Sequence, residues 1–380
     1  MRVLILGYEF PPIGGGTGRA LESLLKSWPA DSRIEFELWT VASPVERWVP
    51  LPPGVRVVEL RCGKRRPHYW TVREQIALLW SAWRRSLSDD PAPDVVLVWG
   101  GWPLGVLLWG WLGDLPALLA LRGSDVPGFN PRTSGWFWRA LARAVWRRAA
   151  RVTVNSPALA RLAGKVARDL RLEVIPNGVN LPRPLETPLI VREAPPEEGP
   201  FRILLVQRLI PRKRTEWIFQ ALSLLPPEFR KRVTITIAGD GPERYRLEAV
   251  VEELGFGDRV QFLGEVPHSE IAALYAEADL YVLPSMAEGL SNSLLEAMAW
   301  GLPSVVAAPT GYEDLDLALL RVDKVERLAQ QIRLLMHDGE YYRERGLACR
   351  FVASHYTWEK VAVRYSEMLA EIAEKRTPES

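Results

Sequence analysis

Cysteine is nearly missing from this chain. Its two copies, Cys62 and Cys349, stand far apart without metal-ligand spacing. That excludes a disulfide framework and fits a reducing compartment, the cytoplasm. Histidine is as scarce, and His68, His268, His337 and His355 form no metal pattern. No run carries the G-x-G-x-x-G spacing, which excludes a nicotinamide-dependent oxidoreductase. A continuous membrane span is lacking too. Val95–Gly113 is free of charge, but Gly100, Gly101 and Pro103 divide it into a strand at 95–99 and a buried helix from about Pro103. The opening MRVLIL runs into a glycine-rich loop and reads as a first strand, not a leader. No internal repeat stands out. Asparagine occurs five times and lysine eight, against 40 arginines and 16 tryptophans, the usage of a GC-rich genome.

What is present suits a soluble globular protein: 380 residues, 48% of them apolar and 25% charged, enough for two domains with a core each. The net charge of +2 is unevenly spread. Residues 1–190 hold 25 basic against 16 acidic side chains, and residues 191–380 hold 23 against 30. Strands and helices alternate in both halves, the pattern of α/β domains with parallel sheets.

The most informative stretch is Asp279–Val305, DLYVLPSMAEGLSNSLLEAMAWGLPSV. Leu280–Leu283 reads as a buried parallel strand, Ser285–Leu290 as a loop, and Ser291 or Asn292 as the N-cap of a helix ended by Gly301. Glu288 in the loop and Glu296 one turn into the helix lie at the carboxyl end of a strand, where open α/β sheets bind ligands. The N–H groups of residues 289–293 can hold an anion. Carboxylates beside an anion site suit a ligand with both phosphate and hydroxyls, a nucleotide sugar. The alternative is a helix whose acidic first turn serves only its dipole. A second anion site follows strand 202–206: Arg208 and Lys213, in QRLIPRKRTEWIF, flank a loop that opens a helix near Thr215. Near the start, GYEFPPIGGGTG puts Gly15 and Gly16 where a backbone can approach a phosphate or sugar closely.

Two stretches are basic and aromatic. In 63–88, Val72, Ile76, Leu79, Trp80 and Trp83 fall on one helical face. Residues 132–171 carry ten basic side chains and one acidic one, Asp169, interleaved with Trp136, Phe137, Trp138 and Trp146. They read either as an amphipathic surface for anionic lipid, centred on 132–148, or as a solvated helix face with tryptophans in the core. No motif supports nucleic acid as a partner.

The Glu-x7-Glu pair inside EGLSNSLLEAMAWGLPSV closely resembles the retaining glycosyltransferases of the GT-B fold, family four. The resemblance implies two Rossmann-like domains facing a cleft: an acceptor-side domain over 1–185, a nucleotide-sugar domain over 198–354, and a C-terminal helix over 355–380 crossing back to the first. Residues 181–200, rich in Pro and Glu, are the expected linker. It implies that Arg208 and Lys213 bind the donor phosphates, that Glu288 holds sugar hydroxyls, and that Glu296 holds the ribose hydroxyls. Gly15, Gly16, Asp125, Gly289, Leu290 and Ser291 join the donor site. Gly239 and Val266 mark loops that hold the base, and Glu9 faces the acceptor. The donor is UDP- or GDP-linked, with no metal and no other cofactor. The acceptor is a glycan or a lipid-linked acceptor of cell-surface polysaccharide or glycolipid synthesis, met in the cytoplasm or peripherally on the plasma membrane's inner face.

The chain departs from the family in three places. Arg122 in Arg122-Gly123-Ser124-Asp125 stands where a histidine that reaches the reacting sugar is usual. Lys213-Arg214 replaces the usual Lys-Gly. The region 309–322 is shortened before the following helix. Asp314-x-Asp316 imitates the metal motif of the other glycosyltransferase fold, outside its context. A sugar-nucleotide 2-epimerase of the same fold and a catalytically weak nucleotide-sugar-binding subunit are the rival readings.

Overall fold

The computed structural model describes residues 1–29, 33–43, 51, 54–64, 70–110, 112, 114–129, 133–182, 194–196, 198–286 and 290–375. The chain forms two compact units, one comprising Met1–Gly178 and the segment from Trp358 onward, the other Val179–Thr357. Of the expected linker, residues 183–193 and 197 lie outside the described residues.

The first unit runs β1 (Arg2–Leu6), α1 (Gly16–Lys26), β2 (Glu35–Val41), β3 (Val55–Leu60), α2 (Val72–Ser86), β4 (Val95–Trp99), a 3-10 turn (Leu104–Trp109), β5 (Ala117–Leu121), α3 (Trp136–Trp146), β6 (Arg151–Val154), α4 (Pro157–Val166) and β7 (Leu172–Val174). The second runs β8 (Phe201–Val206), α5 (Glu216–Leu224), α6 (Pro227–Arg230), β9 (Val233–Ala238), α7 (Arg244–Glu253), β10 (Val260–Gly264), α8 (His268–Glu277), β11 (Leu280–Leu283), α9 (Asn292–Ala299), β12 (Ser304–Val306), α10 (Glu313–Ala318), β13 (Leu320–Arg321), α11 (Val325–His337) and α12 (Gly339–Ala353). Helix α13 (Trp358–Glu374) returns to the first unit and buries Val361, Tyr365, Leu369 and Ile372 in the core that holds Ile5, Leu97 and Leu118.

Among the described residues, the first unit's sheet has the order β3-β2-β1-β4-β5-β6-β7, and the second β10-β9-β8-β11-β12-β13, with parallel pairing. The central strands β4 (VVLVW), β5 (ALLAL) and β11 (LYVL) are buried along their whole length. Uninterrupted apolar runs are what a sheet covered on both faces requires. Strand order reverses between β1 and β4 in one unit and between β8 and β11 in the other. At such a point the loops leaving the two carboxyl ends diverge and open a crevice.

The same device pins both reversals at the amino ends. The Arg2 N–H donates to Asp94 Oδ2 at 2.7 Å, while the Asp94 N–H donates to the Arg2 carbonyl at 2.9 Å. In the second unit the Arg202 N–H donates to Asp279 Oδ2 at 2.7 Å, and the Asp279 N–H to the Arg202 carbonyl at 2.8 Å. Asp94 is exposed and Asp279 fully buried.

One sequence expectation is corrected. The expected helix from Pro103 is a 3-10 turn, in which Gly105 brings the backbone so close to α3 that a Cβ would lie 3.2 Å from Val145. The apolar stripe of α2 is divided: Val72 is 70% exposed, with Ile76 and Trp80 also open, whereas Leu79 and Trp83 are half-buried, Leu79 packing against the core beside the buried Leu78 and Ala82. In the shortened region, α10 is followed by the two-residue strand β13, paired with β12.

Asp279→Ala should destabilise the protein by about 1.5–3 kcal/mol, the range for a hydrogen bond to a charged group. Asp94→Ala, at an exposed copy of the same bridge, should cost less. Chemical denaturation of the two variants checks this, and equal losses would contradict the assigned difference in burial.

Candidate functional site at the second unit's strand reversal

Loops from four strands converge at the carboxyl edge of the second unit. The Met286 N–H, after β11, donates to the Arg212 carbonyl, after β8, at 2.9 Å, so the two loops beside the reversal are tied together. The Leu209 N–H donates to the Asp240 carbonyl at 2.9 Å, and the Gly239 N–H to the Gly264 carbonyl at 2.7 Å. These approaches need glycine. Gly239 has φ +134, and a Cβ there would stand 2.0 Å from the Gln207 carbonyl; at Gly241 it would stand 2.2 Å from the Leu209 carbonyl. Val266, after β10, is half-buried against the cluster that holds Leu290 and Leu294.

The two cations differ. Lys213 is 8% exposed, in a short 3-10 segment (Pro211–Lys213). Arg208 is exposed and forms no ion pair with a described residue. Arg214, in place of the family's glycine, adopts the left-handed φ of 48°, with its guanidinium 4.7 Å above the Trp217 ring. Such a conformation costs an L-residue roughly 1–2 kcal/mol.

Ser291 stands at the N-cap of α9, but its hydroxyl pairs with Ser293 Oγ at 3.1 Å instead of capping the helix. Leu290 is buried beside it. Glu296 is half-buried, and its Oε2 accepts from the Tyr275 hydroxyl at 2.9 Å. Glu288 and Gly289 lie outside the described residues.

Glycines also shape the carboxyl edge of the first unit. Gly14, at φ +94, lets its loop fold onto Glu9, where a Cβ would lie 2.5 Å from that side chain. The Gly15 N–H points to Glu9 Oε2 at 3.5 Å, a Cβ on Gly15 would meet open space, and Gly16 begins α1. Asp125 gathers three main-chain donors: Gly101 at 2.7 Å, Gly123 at 2.7 Å and Arg122 at 3.0 Å. Burial pushes its carboxyl pKa up, and those N–H groups oppose the rise. It thus ties the loops after β4 and β5. Arg122 is engaged within its own unit. Its guanidinium lies 4.1 Å above the Trp99 ring, donates to Asn177 Oδ1, and bonds the Tyr365 hydroxyl of α13.

Both carboxylates of Asp314-x-Asp316 have local partners. Asp314 accepts from the Tyr356 hydroxyl at 2.7 Å, and Asp316 from the Thr310 N–H and hydroxyl, each at 2.9 Å. Among the described residues no three His, Cys, Asp or Glu side chains group as metal ligands.

Sequence reasoning overlooked Tyr275, Tyr281, Gln207 and Ser285. Gln207 donates to Thr215 Oγ1 at 2.9 Å, and its Oε1, like Ser285 Oγ, is buried with no hydrogen-bond partner. The tyrosines read as ordinary core aromatics. A polar residue ending an apolar strand was the only available signal for the other two.

Comparison with known proteins follows this geometry. The family described as Glycosyl transferases group 1 matches residues 187–348, and that described as Glycosyl transferase 4-like domain matches residues 15–178. A GDP-mannose-dependent alpha-(1-6)-phosphatidylinositol monomannoside mannosyltransferase of Mycobacterium tuberculosis is 29% identical, over 97% of this chain and 98% of its own. A 2-deoxystreptamine N-acetyl-D-glucosaminyltransferase of Streptomyces fradiae is 31% identical, over 80% of this chain and 77% of its own. Among solved structures, sucrose-phosphate synthase from Thermosynechococcus elongatus superimposes with a TM-score of 0.81 at 20% identity, covering 99% of this chain and 100% of that one. Anabaena HepE in complex with UDP-glucose gives 0.72 at 19% identity, covering 98% and 100%. Its two parallel-sheet units are those of the GT-B fold, and the chain belongs to the glycosyltransferases of group 1, whose first domain is of the family 4-like kind.

Proposed function

We propose that this protein is a retaining hexosyltransferase that moves a sugar from a nucleoside diphosphate to a glycan or lipid-linked acceptor of the cell surface, without a metal ion. The observation that carries the reading is Arg208: an exposed guanidinium with no ion pair among the described residues, five residues from the buried Lys213, on a loop bonded to the loop that leads into α9. Cleavage of the anomeric carbon–diphosphate bond builds negative charge on the leaving oxygen and positive charge on the ring. Arg208, Lys213 and the first-turn N–H groups of α9 supply fixed positive charge for the diphosphate. Glu288 serves the sugar hydroxyls and Glu296 the ribose. Within the second unit, Gly239, Val266, Gly289, Leu290 and Ser291 complete the donor pocket. Same-face attack by the acceptor retains configuration. GDP-mannose and UDP-glucose are the donors to try first, on the strength of the relatives' names.

The acceptor side favours a membrane surface. Trp136 is 82% exposed and Phe137 lies open beside it, while Trp146 is in the core. Arg139, Arg143, Arg147 and Arg148 are exposed on and just after the same helix. No described helix is long and apolar enough to cross a membrane. A peripheral, cytoplasmic enzyme on anionic lipid follows from this reading, each basic residue at such a surface contributing about 1 kcal/mol.

Arg208→Ala and Lys213→Ala should each lower kcat/KM about a hundredfold, as removal of one charge-stabilising group does. Losses below about threefold in both would remove them from the site. Activity should survive EDTA, whereas loss on chelation with recovery in Mn²⁺ would contradict the metal-free reading. Vesicle co-sedimentation should require anionic lipid, weaken with salt, and fall when Arg139, Arg143, Arg147 and Arg148 become Ser together; sedimentation indifferent to lipid charge would overturn the electrostatic part.

A further inference from the structure

Two tyrosines from different elements grip the first turn of α9. Tyr275, on α8, is 2% exposed; its hydroxyl lies 2.9 Å from Glu296 Oε2 and 3.1 Å from the Ser293 carbonyl. Tyr281, on β11, is fully buried, and its hydroxyl lies 2.8 Å from Ser293 Oγ, which in turn meets Ser291 Oγ at 3.1 Å. The two rings tilt against each other with centroids 6.2 Å apart. A phenylalanine would fill the Tyr275 position equally well for packing. The hydroxyl adds a donor fixed under the Glu296 carboxylate, at 2.9 Å, with the Ser293 carbonyl as its longer partner at 3.1 Å.

We propose that Tyr275 is a positioning residue for Glu296, locking the carboxylate in the orientation that receives the vicinal hydroxyls of the donor's ribose. This rests on the assignment of Glu296 to the ribose made above. A free glutamate side chain samples several rotamers and loses that freedom when a ligand binds. Tyr275 imposes the loss at folding, so the nucleotide meets a preorganised acceptor. Burial, and secondly the negative charge of Glu296, hold the Tyr275 pKa well above its ordinary value. The hydroxyl therefore keeps its proton over the whole working range and remains a donor.

The test is calorimetric titration of the full chain with GDP, UDP and their 2′-deoxy counterparts. Wild type, Tyr275→Phe, Glu296→Ala and the double variant are compared, using whichever base binds. Wild type should prefer the ribonucleotide by about tenfold or more, the weight of a hydrogen bond to a charged group. Glu296→Ala should abolish the preference, and Tyr275→Phe should reduce it to about threefold or less. The double variant should match Glu296→Ala alone, since the two residues act through one bond. A Tyr275→Phe protein that keeps the full preference, or that loses affinity equally for both sugars, would overturn the proposal while leaving Glu296 on the ribose. A preference that survives Glu296→Ala would overturn the ribose assignment itself. A Tyr275→Phe chain that fails to fold would also contradict the proposal, because a bond that only orients Glu296 is dispensable to the core.

Discussion

The parallel pairing of β8 with β11 is the constraint on which the second unit's site depends. Residue pairs Ile203–Leu280 and Leu204–Tyr281 hold the strands side by side, and the buried Asp279 closes their amino ends. Because strand order reverses there, the chain leaves the two carboxyl ends in opposite directions. The Arg208–Lys213 loop and the approach to α9 are thereby left as the walls of one crevice, joined by the Met286–Arg212 hydrogen bond. A slip of one residue would exchange the faces of β11 and carry the loop with it. The first unit repeats this plan with Asp94 and an exposed bridge, and uses Asp125 to tie the loops on its carboxyl edge.

Charge is deployed with the same economy. Lys213 is buried and Arg208 open, so the two cations of this loop stand in different dielectric surroundings. Among carboxylates, those of the D-x-D pair and Asp125 are held by local donors, and Glu296 by a tyrosine. Arg122 belongs with these braces: stacked on Trp99 and bonded to Asn177 and Tyr365, it fastens α13 to the first sheet.

Much of this was legible in the sequence, for identifiable reasons. Strands 95–99 and 280–283 are unbroken apolar runs, the mark of buried parallel strands, and the loop and helix after Leu283 carry cap and stop residues at the right spacing. Arg208 and Lys213 could be singled out because both fall in the one short segment between β8 and α5. What stayed hidden depends on distant partners. Arg122 meets a residue 55 positions away, and Tyr275 one 21 positions away, and neither pair follows a period. Which part of the α2 stripe is covered could not be told, since periodicity locates a stripe but not what covers it. Gly239 announced a turn, not the 2.0 Å that its missing Cβ saves.

The central claim, that the second unit's crevice activates a nucleotide sugar, is tested most directly by incubating the protein with GDP-mannose and UDP-glucose and following nucleoside diphosphate release and the anomeric configuration of the released or transferred sugar by NMR. The account predicts slow release of the diphosphate from one donor without any acceptor, and a product that keeps the donor's configuration. Tight nucleotide binding with no release, or an inverted product, would contradict it.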